Sequence, residues 1–232
     1  MIANDQGLLA RQRKARRWHR WVALVTSVQL LLWTLSGVYF AFIDIDFVRG
    51  HQFKRTPEPV MFELSGIDLP SLPGEALTIQ ERLPGETIIG LSAEDGIRWF
   101  DSQGQALTPL RAGQAITLAR SRTYLAPDKA EWLDSAVAGS EYRGAPLPLW
   151  QLWDSRSPDQ VAYMDALSGD VVAVRHDAWR WWDFLWSLHI MSYDDRDTIG
   201  TWLLKLFSIL ALATAALGLW LLVYTRRVTR IQ

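Results

Sequence analysis

Residues 178–227 read AWRWWDFLWSLHIMSYDDRDTIGTWLLKLFSILALATAALGLWLLVYTRR, and the reading of this stretch decides the fold. Four tryptophans (Trp179, Trp181, Trp182, Trp186) and a histidine, His189, precede the acidic turn Asp194-Asp195-Arg196-Asp197. From Thr201 to Tyr224 the only charge is Lys205, and the run closes on Arg226-Arg227. An apolar run of about 20 residues rising 1.5 Å each matches a hydrocarbon core of about 30 Å. Tryptophan collects at membrane–water boundaries, where the ring stays apolar and its N–H finds a partner. The stretch predicts an interfacial segment over 178–198, a transmembrane helix over 199–225 and a short tail over 226–232.

An apolar run near the other end completes the pattern. Residues 18–43 predict a first transmembrane helix behind a basic tail, 1–17. The run is longer than a signal-peptide core and leads into bulky Tyr39-Phe40-Ala41-Phe42, so an uncleaved anchor is expected. Basic residues cluster at the outer ends of both runs, at Arg11, Arg13, Lys14, Arg16, Arg17 and Arg20, and at Arg226, Arg227 and Arg230. Such flanks stay cytoplasmic, which puts both termini inside and the middle of the chain outside.

The net charge of −1 offers no global field for nucleic acid. With no cysteine in the sequence, disulfides, Cys-ligated zinc, iron–sulfur clusters and c-type haem attachment are excluded for these residues. Gly-x-Ser-x-Gly, His-Glu-x-x-His and Walker patterns are missing, so nothing points to hydrolysis.

Between the helices, 44–86 is rich in proline and glycine and predicts an irregular segment, with short strands at most. Strands are expected at Ile88–Leu91, Gly96–Phe100, Glu131–Leu133, Leu147–Trp153, Val161–Asp165 and Val171–Val174. A helix is expected through Ala112, Ala115, Ile116 and Ala119. Asp101 and Asp165, each ahead of a glycine turn, read as turn formers. On the helical wheel His19, Ala23, Thr26, Trp33, Gly37 and Phe40 form one stripe; Ser208, Ala211, Ala215, Gly218 and Leu222 form another. The two stripes suit each other, a cofactor slot or a second protomer.

Three patterns in order resemble the PepSY-associated transmembrane family: His19, Trp21 and Ser36-Gly37 in the first apolar run; Leu147-Pro148 with Asp165 and Gly169-Asp170-Val171; and Leu188-His189 with Gly218-Leu219-Trp220. The resemblance implies an α+β membrane protein of the Gram-negative inner membrane. In it, two transmembrane helices flank a periplasmic antiparallel PepSY-like domain over 87–177. It implies one of two roles. The periplasmic domain binds or regulates a partner protein, or the chain is a b-type haem electron-transfer subunit for periplasmic ferric-siderophore reduction. Members linked to siderophore reduction have four or more helices, so two copies of this chain, or one copy beside a larger membrane partner, would rebuild that architecture.

Candidate haem ligands are His19 on the cytoplasmic side and His51, His176 and His189 on the outer side. Position 19 and position 189 are expected about 30 Å apart, which prevents one copy from clamping one haem between them. The alternative is that histidine and tryptophan here are interfacial anchors. Asp194, Asp195 and Asp197 could bind a hard cation, although a cap from Asp197 or Thr198 on the second helix is the commoner use.

Overall fold

The computed structural model describes residues 2–56, 59–62, 74–94, 96–135, 137, 139–194, 196 and 198–229; for 2–16, 18, 19 and 220–229 only the backbone is described. The chain is α+β and divides into two compact units, Asp44–Trp181 and the pairing of Met1–Ile43 with Trp182–Gln232.

The helical unit contains α1 (Ile2–Phe42) and α5 (Trp202–Thr229), which pack on each other, and most of α4 (Asp177–Ile190). Among the described residues, two stretches are long and apolar enough to cross a membrane, Arg20–Phe42 in α1 and Trp202–Leu219 in α5. Helical backbone runs on through the basic segment that the sequence reads as a tail. The covered residues of α1 are Ala23, Thr26, Gln29, Trp33, Ser36, Gly37, Tyr39 and Phe40, so the predicted stripe holds at every position whose side chain is described. Thr26 and Ser36 return their hydroxyls to carbonyls one turn back, Val22 and Leu32, which lets polar side chains sit inside an apolar helix.

The stripe of α5 differs from expectation. Leu203, Leu204, Phe207, Leu210, Ala211 and Thr214 are covered, whereas Ser208, Ala215 and Gly218 are exposed. Large residues supply more contact area than the small ones, and only Ala211 is shared by both stripes; the side chain of Leu222 lies outside the described residues. The cap of α5 also differs: Leu204 N donates to Thr201 Oγ1 at 3.2 Å, so Thr201 closes the helix start.

Among its described residues, Asp44–Trp181 holds two antiparallel sheets. The first runs β1 (Ala76–Glu81), β2 (Thr87–Ala93), β3 (Gly96–Asp101) in that order. The second runs β4 (Lys129–Leu133), β5 (Leu149–Asp154), β6 (Ser157–Asp165), β7 (Val171–Arg175). In the second sheet period-two alternation splits the apolar side chains between two faces. Leu152, Ala162, Met164 and Val174 meet Leu118 and Ala119 of α3 (Ala112–Arg122); Leu149, Val161, Tyr163 and Ala173 meet Tyr142. Both faces are covered, which is why β6 reads as an unbroken apolar run over Val161–Met164.

The turns follow their aspartates. Asp165 Oδ1 accepts from Leu167 N and Ser168 N, and Asp101 Oδ1 accepts from Gln103 N and Gln105 N. Gly169, at φ +74°, brings the β6–β7 turn so close to α3 that a Cβ would lie 2.4 Å from Leu118 Cδ2. Arg122 of α3 reaches Asp170 in that turn (3.0 Å) and the carbonyl of Glu81 at the end of β1 (2.9 Å).

The segment expected to be irregular, 44–86, carries α2 (Ile45–Val48), a 3₁₀ turn (His51–Phe53) and β1. Asp44 caps α2 by accepting from Asp46 N at 2.7 Å. Gly50, at φ +77°, fits against Val174, and Lys54 Nζ donates to Val171 O at 2.8 Å. These contacts stitch the first turn of the compact unit Asp44–Trp181 to β7.

Candidate functional site around His189

His189 lies in the last turn of α4, where helix carbonyls run out of intrahelical donors. Trp33 of α1 supplies one: its Nε1 donates to the carbonyl oxygen of His189 at 2.8 Å. Ser36, one turn along the same face, brings Oγ to 2.8 Å from His189 Nδ1. Ser36 Oγ also lies 2.9 Å from Leu32 O, and a hydroxyl has one proton to give. In the tautomer with the proton on Nδ1, Ser36 donates to Leu32 O or Trp33 O and accepts from His189 Nδ1–H. Nε2 is then the lone-pair nitrogen, ready for a metal or a proton.

The imidazole is walled by aromatic rings. Trp186 lies nearly parallel to it (6°, centroids 6.3 Å), and Phe40 stands edge-on at 5.6 Å. Trp182 stacks on Trp186 at 5.3 Å, so residues 182, 186 and 189 form one row along a face of α4. Burial among these rings pushes the imidazole below its ordinary value, since a cation is disfavoured there. A neutral nitrogen base in a low-dielectric aromatic cradle can ligate a soft or borderline metal centre, including haem iron, or relay a proton.

The other predicted residues separate. His176 is buried, with Nε2 within 3.0 Å of Phe47 O and 3.2 Å of Val48 O and its ring between Phe47 and Phe53. It holds α2 against the end of β7, a structural use. His51 is exposed and pairs with Asp46 at 3.2 Å. The side chain of His19 lies outside the described residues; its backbone is separated from Ser36 by about 25 Å of helix.

Of the acidic turn, Asp194 is exposed, and Asp195 and Asp197 lie outside the described residues. Its organising member is Arg196, which pairs with buried Asp183 of α4 at 2.6 Å. The four tryptophans also divide. Trp182 and Trp186 build the cradle, Trp181 is 61% exposed, and Trp179 is buried beneath Arg175.

Ser36 and Trp33 are the partners that residue-by-residue reading leaves unassigned. Ser36 stands in the small-residue step and Trp33 on the predicted stripe, but their bonds to His189 span 153 and 156 residues of chain. No family model, curated protein or solved structure matches this chain significantly.

Proposed function

We propose that the chain is a two-span protein of the bacterial inner membrane, with both ends cytoplasmic and Asp44–Trp181 in the periplasm, where it binds or regulates a partner protein. The observation that carries this reading is the uncovered apolar surface of the long helices. Leu24, Val25, Val28, Leu31 and Leu35 on α1, and Ile209, Leu212 and Leu219 on α5, are each more than half exposed. A helix at the core of a soluble domain would hide such a face, and in water a patch of this size drives aggregation; acyl chains remove the cost. Two spans return the chain to its starting side, in agreement with basic residues beyond both apolar runs. The partner-binding role draws on the PepSY resemblance of residues 87–177.

The test is retention and accessibility. The chain should stay with membranes through alkaline carbonate, and protease added outside spheroplasts should cut within 44–181. Release by carbonate, or a middle segment spared by the protease, would defeat the reading. In-membrane crosslinking should then join 44–181 to a second protein in fixed stoichiometry.

One observation favours a second reading, a b-type haem electron-transfer subunit. His189 is held through Nδ1 with Nε2 left for a ligand, inside an aromatic wall. Haem bound there would supply one-electron chemistry; the chain's own part is to orient the imidazole through Ser36 and to exclude water with Phe40 and Trp186. A second histidine to hold it would come from another copy or a larger partner. Membranes containing the protein should show a reducible Soret band that His189→Ala removes, and an absent band sinks this reading.

A further inference from the structure

Trp179, 7% exposed, carries two guanidinium groups against one indole. Arg175 Cζ lies 4.3 Å from the ring centroid and Arg143 Cζ 5.7 Å from it. The neighbouring carboxylate is already engaged: Arg180 takes Glu141 Oε1 at 2.7 Å and Oε2 at 3.2 Å. Arg175 receives only the Glu141 backbone carbonyl, through Nε at 2.6 Å, and makes no ion pair among the described residues. Burial pushes its guanidinium down to about 10, with Tyr163 and Glu141 opposing the drop and the charge of Arg143 adding to it. A half-buried cation beside a like charge is stabilised by an anion from outside the chain.

We propose that Arg143 and Arg175, on the Trp179 platform, bind the phosphate of an anionic phospholipid headgroup. The assignment rests on the two-span reading. Trp179 stands in the first turn of α4, three residues before Trp182, where the chain passes into the unit carrying both apolar spans. Arginine beside tryptophan is the chemistry of the headgroup layer, and exposed Trp181 adds a second interfacial ring. Guanidinium suits phosphate because its fork donates two parallel N–H bonds.

Native mass spectrometry of the full chain in neutral detergent, supplied with phosphatidylglycerol or phosphatidylcholine, tests this. The wild type should retain phosphatidylglycerol selectively, and Arg175→Gln and Arg143→Gln should each weaken retention by about tenfold, the loss of one charge-assisted contact. Arg55→Gln, whose guanidinium lies over Tyr124 instead, should retain it unchanged. Arg175→Lys, which keeps the charge, should fall between; it and Arg143→Gln decide the matter if Arg175→Gln does not fold.

Equal retention by wild type and variants, or equal retention of phosphatidylcholine, overturns the proposal. Displacement of phosphatidylglycerol by equimolar inorganic phosphate also overturns it, in favour of a soluble anion. Failure of the two-span reading shows separately, as release of the wild type by carbonate.

Discussion

Ser36 Oγ on α1 stands 2.8 Å from Nδ1 of His189 on α4, and Trp33 on the same face of α1 holds the backbone carbonyl of that same histidine. Side chain and main chain of one residue are thus fixed by donors and acceptors three positions apart on another helix. Ser36→Ala removes the partner of the half-buried imidazole at Nδ1, and the expected loss of stability is about 1 kcal/mol. Trp33→Phe should cost about 1 kcal/mol, and the double variant less than the sum, because both bonds restrain one turn. Thermal unfolding in detergent checks the values; strict additivity would show the two contacts to be independent.

The depressed titration of His189 gives stability a pH dependence of definite sign. Between the lowered folded value and the ordinary 6.5, the unfolded chain binds a proton that the folded chain does not. The contribution is complete above 6.5 and is lost as pH falls through that window. The unfolding midpoint should therefore drop between neutral pH and mildly acidic pH. His189→Gln should flatten the drop.

Arg82 is 7% exposed and donates to the carbonyls of Thr108 and Leu167 at 2.8 and 3.2 Å, with Glu86 as its carboxylate partner. Arg82→Ala orphans acceptors from three segments at once and should destabilise by about 3 kcal/mol or more. Arg156, 80% exposed and paired with Asp154, provides the contrast. Arg156→Ala should leave the denaturation midpoint of the full chain in place, since water screens that pair.

Gly90 of β2 lies opposite Trp99 of β3, and a Cβ on it would fall 2.7 Å from the indole Cζ3. Gly90→Ala should cost about 1–3 kcal/mol by displacing a ring packed between strands. Trp99→Leu should recover part of that loss when combined with it. A Gly90→Ala protein as stable as the wild type would mean that the ring moves freely.

Several features were legible in the residues themselves because their causes are local. The two apolar runs are set by composition over about 20 positions, and six of the seven strands among the described residues by alternation or by apolar runs between turns. Asp101 and Asp165 announce their turns because the carboxylate bonds amides two to four positions onward. The covered face of α1 follows from helical spacing alone.

Tertiary structure decided the rest, because the deciding contacts join residues far apart in the chain. β1 sits in a stretch full of proline and glycine and is a strand because β2 supplies its ladder. The face of α5 turned inward was set by which side chains fill the space against their neighbours, not by where the small residues recur. His176 and His189 look alike in sequence, each a histidine at an end of α4. One is bonded to the carbonyls of Phe47 and Val48, and the other offers Nε2 behind Ser36. Hydrogen-bond partners more than 120 residues away distinguish a structural histidine from a candidate ligand, and only the folded chain brings them together.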